Sequence, residues 1–232
     1  KEALSILQTK LANDKSTDTI LFRVSLLANL GRYEESLKDA QTLLTNTPEN
    51  LAYLNLNIDL FIRLEDFEQA NVLLKKVLQQ DPDNVAGLIH QSRIRFAFAD
   101  LQGAGASIQK VLGMDKANFS ALLLSGQILV KQNKLDDAIN QLIGAKTVDA
   151  NSTSPRELLV SIYKQQDKLD LAISELNQLI KIRSSEFEYI HEKAKIYLTL
   201  NQTDKAKSQL DLLFFQWIEQ PGKLVQLSRL QM

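Results

Sequence analysis

The sequence contains no cysteine, and it has only 8 glycines and 4 prolines among 232 residues. The absence of cysteine excludes disulfide bonds, thiolate zinc sites and a cysteine nucleophile. The scarcity of glycine and proline favours helices over a β-fold with many tight turns. A formal net charge of -1 leaves no general basic field that would attract nucleic acid or an anionic membrane surface. No apolar run approaches the roughly 18 residues that a membrane span needs.

The sequence also lacks the motifs that carry catalysis. It has no GxGxxG, no GxxxxGK[ST], no HExxH and no GxSxG. Gly103 and Gly105 lie at the start of a predicted helix with no strand before them, which does not fit a nucleotide-binding loop. The only histidines, His90 and His191, are far apart and have no metal-ligand spacing. We therefore predict no catalytic residue, no metal and no cofactor, and a protein that is not an enzyme.

What the sequence does contain is a repeated pair of helices. In Leu51–Asn84, apolar residues at helical spacing predict a first helix, and a second follows a short polar break. Asp81-Pro82 ends the second helix, because proline cannot continue it. The same frame of 34 residues fits six times without insertion or deletion. The frames are 17–50, 51–84, 85–118, 119–152, 153–186 and 187–220.

One position of the frame carries the strongest signal. Position 20, early in the second helix, is always a small residue. The six residues are Ser36, Ala70, Ala104, Ala138, Ala172 and Ala206. A small side chain lets two helices approach closely, and larger neighbours fill the space around it.

This pattern resembles the tetratricopeptide repeat, whose period is 34 residues. Gly31 matches the family's glycine between the helices, and Pro48 and Pro82 match its terminal proline. The family's aromatic residue early in the first helix is missing, and Arg156 stands at that position in the fifth repeat. The resemblance implies an all-α, right-handed superhelical solenoid of antiparallel helix pairs that binds other proteins.

The two ends predict partial repeats. We interpret residues 1–16 as the second helix of a preceding repeat. Residues 221–232 fit either a capping helix or the first helix of a seventh repeat. Because the chain begins at Lys1 rather than methionine, we expect an excerpt or a processed product. The helix before residue 221 is apolar on nearly all sides, with Phe214 and Trp217 among its residues, which predicts self-association there.

A solenoid of helix pairs presents its first helices on the concave side. Reading the stripe opposite the core positions predicts a groove for a peptide or helix segment, apolar over the first four repeats and charged over the last two. Its residues are Phe22, Asn55, Leu56, Asp59, Ile89, His90, Arg93, Phe96, Leu124 and Gln127. The alternative is that neighbouring repeats simply crowd the first helices on both sides.

The predicted function is therefore a protein-binding scaffold with a protein or peptide partner, no nucleic acid and no direct membrane span. The stripe does not match the Lys/Asn/Arg clamp with which some family members hold acidic chaperone tails. The regular repeats resemble bacterial arrays of envelope assembly or polysaccharide export. That resemblance favours the periplasm or outer membrane, with the cytoplasm as the alternative. A second hypothesis is a regulatory or substrate-docking arm of a larger enzyme.

Overall fold

The computed structural model describes residues 16–184 and 186–217, and this part of the chain contains twelve α-helices and no strand. The all-α fold class is therefore confirmed. The helices are α1 (Thr17–Asn29), α2 (Tyr33–Asn46), α3 (Leu51–Arg63), α4 (Phe67–Gln80), α5 (Val85–Ala97), α6 (Leu101–Met114), α7 (Phe119–Lys131), α8 (Leu135–Val148), α9 (Ser154–Gln165), α10 (Leu169–Ile182), α11 (Phe187–Thr199) and α12 (Thr203–Trp217).

The odd-numbered helices are the predicted first helices, and the even-numbered ones are their partners. Five of the six first helices begin at the first residue of a frame, and α9 begins one residue later. The grouping into six repeats remains our assignment. The predicted partial repeats at 1–16 and 221–232 lie outside the described residues, apart from Ser16. The apolar side chains predicted for self-association, from residue 212 onward, are outside them as well.

Polar side chains start several of these helices by accepting hydrogen bonds from the free backbone N–H groups of the first turn. Asn50 Oδ1 accepts from the backbone N–H of Ala52 at 2.9 Å. Asn84 Oδ1 accepts from that of Gly87 at 2.9 Å. Asparagine before a helix thus fixes where α3 and α5 begin.

The turn inside each helix pair has the same backbone conformation every 34 residues. Position 15 of each frame has a positive φ: it is +73° at Gly31 and between 57° and 60° at the other five positions. Those five are Glu65, Ala99, Asn133, Asp167 and Asn201. The next residue then bonds back to the helix, as when the Asp100 N–H donates to the Arg95 carbonyl at 2.9 Å. This is the Schellman ending of a helix, in which a left-handed residue satisfies the last carbonyl groups.

Ala99, like Glu65, has neither the freedom of glycine nor the local hydrogen bonding of Asn or Asp at this position. We expect Ala99→Gly to raise the free energy of unfolding by about 1 kcal/mol, because glycine adopts positive φ without strain. Urea unfolding measures the change. The same substitution at exposed Ala106, inside α6, should instead destabilise by about 1 kcal/mol. If both substitutions changed the free energy of unfolding in the same direction, the assignment of strain to Ala99 would be wrong.

The close approach of paired helices occurs where the sequence predicted it. All six small residues at position 20 are buried, none more than 1 % exposed. Ser36 Oγ, on the second helix, donates to the Val24 carbonyl on the first at 2.8 Å. In the third repeat the direction is reversed, and Ser92 Oγ donates from the first helix to the Ala104 carbonyl at 2.9 Å. The backbones come close enough for one hydroxyl to bridge them from either side.

The chain divides into two compact units inside α7, the first ending at Ile128 and the second beginning at Leu129. In the first unit, side chains of successive pairs join in apolar clusters, one of which contains Leu54, Ile58 and Ala70. Across the described residues, no helix is long and apolar enough to span a bilayer.

Candidate functional site

The first helices of adjacent repeats lie side by side in the first unit. Arg93 Nη1 on α5 donates to Asp59 Oδ1 on α3 at 2.7 Å, although the two residues are 34 positions apart. They occupy the same position of successive frames, so α3 and α5 present equivalent sides at this point. We use the name first-helix face for this side of α1, α3, α5 and the part of α7 in the first unit.

A carboxylate with two arginines lies in the middle of the first-helix face. Asp59 Oδ2 accepts a second hydrogen bond, from Arg63 Nε at 2.6 Å. Burial acts to raise the pKa of Asp59, but the Arg63 hydrogen bond and the positive charges of Arg63 and Arg93 outweigh it, so the pKa is lower than usual. The Arg63 guanidinium also lies 5.5 Å from the centre of the Tyr33 ring. One negative and two positive charges therefore leave this cluster with a net positive charge.

His90, predicted as a groove residue, lies close enough to Asp59 and Arg93 to interact with their charges and is only 7 % exposed. Burial is the main influence on it and lowers the pKa of His90 to about 4, even though the Asp59 charge favours the protonated form. Within the described part of the chain, His90 Nδ1 and the neighbouring Asn55 Oδ1 are buried without hydrogen-bond partners. His90 is therefore uncharged at neutral pH.

This burial predicts a loss of stability in mild acid. The folded-state pKa of about 4 lies below the ordinary value of His90, so protons bind more readily to the unfolded chain. As the pH falls below about 6.5, protonation of His90 in the unfolded chain increasingly favours unfolding, until His90 is also protonated in the folded state. Between about pH 7.5 and about pH 5 the loss should be on the order of 2 kcal/mol.

Urea unfolding at these two pH values tests the prediction. His90→Gln should flatten the pH dependence, because glutamine does not titrate. His191→Gln is the matched control: His191 is less buried, and its replacement should change the pH dependence much less. Equal pH dependence in the wild type and the His90 variant would contradict the assignment.

Burial corrects the sequence-based description of an open apolar groove. Ile89 is 9 % and Leu124 6 % exposed, and both belong to the core cluster between α5, α6 and α7. Phe96 is half-buried and packs against the same cluster. For α5 the alternative of crowding on both sides is therefore the better description, because residues of α7 join those of its own partner α6 in burying it.

The remaining predicted residues stay accessible to different degrees. Phe22 on α1 is 60 % exposed. The others are half-buried, and they are Asn55, Leu56, Asp59, Arg93 and Gln127. The accessible part of the face is thus mainly polar, with Phe22 and Leu56 as its apolar members.

The first helices of the second unit carry paired polar groups. Lys164 on α9 donates to Glu192 on α11. The Tyr189 hydroxyl donates to Glu157, and burial followed by this hydrogen bond raises the pKa of Tyr189 to about 12. These charges are satisfied within the chain. No group of three or more His, Asp or Glu residues placed to hold a metal occurs among the described residues.

An ion-paired group that was not predicted from the sequence lies in the interior of the second unit. Glu175 on α10 is 7 % exposed and accepts a hydrogen bond from Arg156 Nη1 on α9 at 2.8 Å. Lys146 on α8 donates to the other carboxylate oxygen. A signal was present, since Arg156 stands at a core position where the family has an aromatic residue. A charge at a core position predicts a buried partner of opposite charge.

Part of this chain matches a known protein family, and its fold is similar to several solved structures. Residues 156–186 match the family model for the tetratricopeptide repeat. A search of curated proteins returns no match. Among solved structures, TTC0263, a thermophilic TPR protein of Thermus thermophilus, has a TM-score of 0.70 at 17% identity, covering 79% of this chain and 100% of its own.

Two further structures show the range of this likeness. YrrB, described as a TPR protein with an unusual peptide-binding site, has a TM-score of 0.59 at 17% identity, covering 83% of this chain and 98% of its own. A chain of the APC/C hetero-tetramer Cut9-Hcn1 has a TM-score of 0.72 at 14% identity, and the match covers 90% of this chain and 42% of that one. At these identities the likeness concerns the fold. The described chain therefore has the all-α fold of solved tetratricopeptide-repeat proteins, and residues 156–186 match the model of that repeat.

Proposed function

We propose that this chain is a non-catalytic scaffold that binds a segment of another protein on the first-helix face of its first unit. The observation that carries the proposal is the contact between Arg93 and Asp59, which joins equivalent positions of successive first helices into one surface. A surface built from adjacent repeats suits an elongated ligand, because each repeat adds a similar strip of side chains. Support from the comparisons is the tetratricopeptide fold itself and the peptide-binding site named for YrrB.

The accessible side chains indicate what kind of segment would fit. Phe22 and Leu56 offer apolar contacts at the same frame position of successive repeats. Arg63 and Arg93 keep 44% and 38% of their side-chain surface exposed, and they share a single carboxylate. Their remaining N–H groups can donate to carbonyl or carboxylate oxygens of a ligand. An amphipathic segment, apolar on one side and with acceptors on the other, matches this set.

Site-specific photo-crosslinking in cells tests the location. A photoreactive phenylalanine analogue placed at Leu56 should capture a partner. The same analogue at Val72, which is 49 % exposed on the second helix α4, is the matched control and should not capture it. Capture from Val72 and none from Leu56 would show that the binding surface lies elsewhere.

The captured protein then allows a quantitative test. We expect Leu56→Glu to weaken its binding by at least about tenfold, because truncating or charging a buried contact often costs about 2 kcal/mol. Arg93→Ala should weaken binding and reduce its dependence on salt. Circular dichroism controls for folding. Unchanged affinity in both variants would overturn the proposed face. A bacterial envelope or polysaccharide-export complex remains our prediction for the assembly in which this binding takes place.

A further inference from the structure

A second surface, separate from the first-helix face, has an unbalanced charge. It is a cleft of about 490 Å³ in the second unit, formed by α10, α11 and α12. Its volume falls within the range of ligand-binding clefts, roughly 300–1,000 Å³. Its apolar floor includes Ile180 on α10 and Ile190 on α11, and Ile190 is only 4 % exposed. Asn177 and Gln178 provide amide groups at its edge.

Among the described residues, the charged side chains that line this cleft are Lys181 and Lys193, and none of its lining residues there is a carboxylate. Among the described residues, neither lysine is in an ion pair. Burial, with no compensating negative charge, lowers the pKa of Lys193. Its Nζ lies 5.7 Å from the centre of the Tyr197 ring, and Lys205 Nζ lies 5.6 Å from the same centre. The cleft therefore has positive charge that the described part of the chain does not neutralise.

In a comparable cleft of the first unit, the cationic side chains do have carboxylates close to them. Leu78 lies on its floor and corresponds by frame position to Ile180, while Arg95 and Lys110 line it. There, Lys110 Nζ lies 2.6 Å from Asp83 Oδ1, and Arg95 Nε lies 3.9 Å from Asp100 Oδ2. Both cations thus have a carboxylate nearby. The cleft of the second unit also combines an apolar floor with cationic side chains, but the described residues that line it include no such acid.

We propose that the cleft formed by α10, α11 and α12 docks an acidic protein segment that carries a bulky apolar side chain. The apolar side chain rests on Ile180 and Ile190. Carboxylates beside it pair with Lys181 and Lys193, and the amides of Asn177 and Gln178 face the ligand backbone. The apolar floor favours a protein segment over a nucleic acid, since the latter would need more cations along its backbone. This surface is distinct from the first-helix face and does not depend on the function proposed for it.

Fluorescence anisotropy with the whole chain and a labelled peptide tests the proposal. The peptide places a leucine between pairs of glutamates. Two comparison peptides replace every glutamate by glutamine, or the leucine by alanine. We expect saturable binding of the first peptide, weaker binding of the leucine-free one, and little binding of the uncharged one. The absence of saturable binding, or equal binding of the glutamine peptide, overturns the proposal.

Substitutions locate the binding. We expect the double substitution Lys181→Gln and Lys193→Gln to weaken binding by about tenfold, if each partly exposed lysine accounts for about a threefold change. Lys134→Gln, an exposed lysine before α8, is the matched control and should bind like the wild type. Circular dichroism confirms that the variants are folded. Unchanged affinity in the double variant overturns the cleft as the site.

Two further measurements distinguish this site from other surfaces and ligands. Leu56→Glu and Arg93→Ala, which test the first-helix face, should leave binding of the acidic peptide unchanged. A loss of binding in them would move the peptide to that face and overturn the cleft. Competition with a single-stranded oligonucleotide of equal charge should be weak. Competition as strong as that of the unlabelled peptide would show a general polyanion site instead.

Discussion

Replacing Glu175 by alanine should destabilise the second unit by about 3 kcal/mol, because removing one member of a buried ion pair leaves its partner charged and unpaired. Glu175 is 7 % exposed, and its two oxygens accept from residues on two other helices. Arg156 would lose its carboxylate while only 13% of its side chain is exposed. The side chain of Lys146 is 23% exposed and can reach water more easily. The expected loss of stability therefore lies at the lower end of the range for buried pairs, about 3–5 kcal/mol.

Urea unfolding followed by circular dichroism measures this loss. Glu188→Ala removes an exposed carboxylate from α11 and serves as the matched control, with an expected change within about 0.5 kcal/mol. Lys146→Ala should cost less than the loss of Glu175, since Arg156 would still pair with the carboxylate. If the Glu175 and Glu188 variants were equally stable, the carboxylate would not hold α8, α9 and α10 together.

Replacing Ala70 by leucine should destabilise the first unit by about 2 kcal/mol, because larger side chains in a filled core force backbone shifts or strained rotamers. Ala70 is 0 % exposed and packs among Leu54, Ile58 and Leu74. It occupies the position at which paired helices approach most closely. The extra atoms of leucine would push α3 and α4 apart.

Hydrogen exchange and urea unfolding together measure this effect. In a chain of repeats each pair contacts its neighbours, so the loss of protection should centre on α3–α6. Ala52→Leu is the matched control, because Ala52 is exposed on α3 and leucine is also a good helix former. Equal exchange rates in α3 and α4 of the Ala70 variant and the wild type would contradict the close contact assigned to position 20.

The helix pairs were predictable from the sequence because their determinants are local and repeated. A small residue at each position 20, among them Ser36, Ala104 and Ala206, was enough to set the period and the phase. Asparagine and aspartate before helices, and the residues at position 15, fix the turns within a few residues of themselves. Signals of this kind need no knowledge of which helix lies beside which.

The accessible surface was decided by the tertiary structure. Helical periodicity predicted that the stripe containing Leu56, Ile89 and Leu124 lies opposite the paired helix. Its exposure depends on neighbouring helices, however: Ile89 and Leu124 are buried in the cluster that α5, α6 and α7 form, whereas Leu56 is half-buried. Periodicity within one helix carries no information about such coverage.

Charge pairing was also decided in three dimensions. Glu175 is 19 residues from Arg156 and 29 from Lys146, and only packing brings the three together. The same holds for Lys193, since only the assembled cleft reveals that the described residues offer it no carboxylate partner. The sequence by itself thus determined the repeat and the helix pairs, because local residues specify them. The tertiary structure decided which side chains face solvent and which charges are paired, because both depend on neighbours that are distant along the chain.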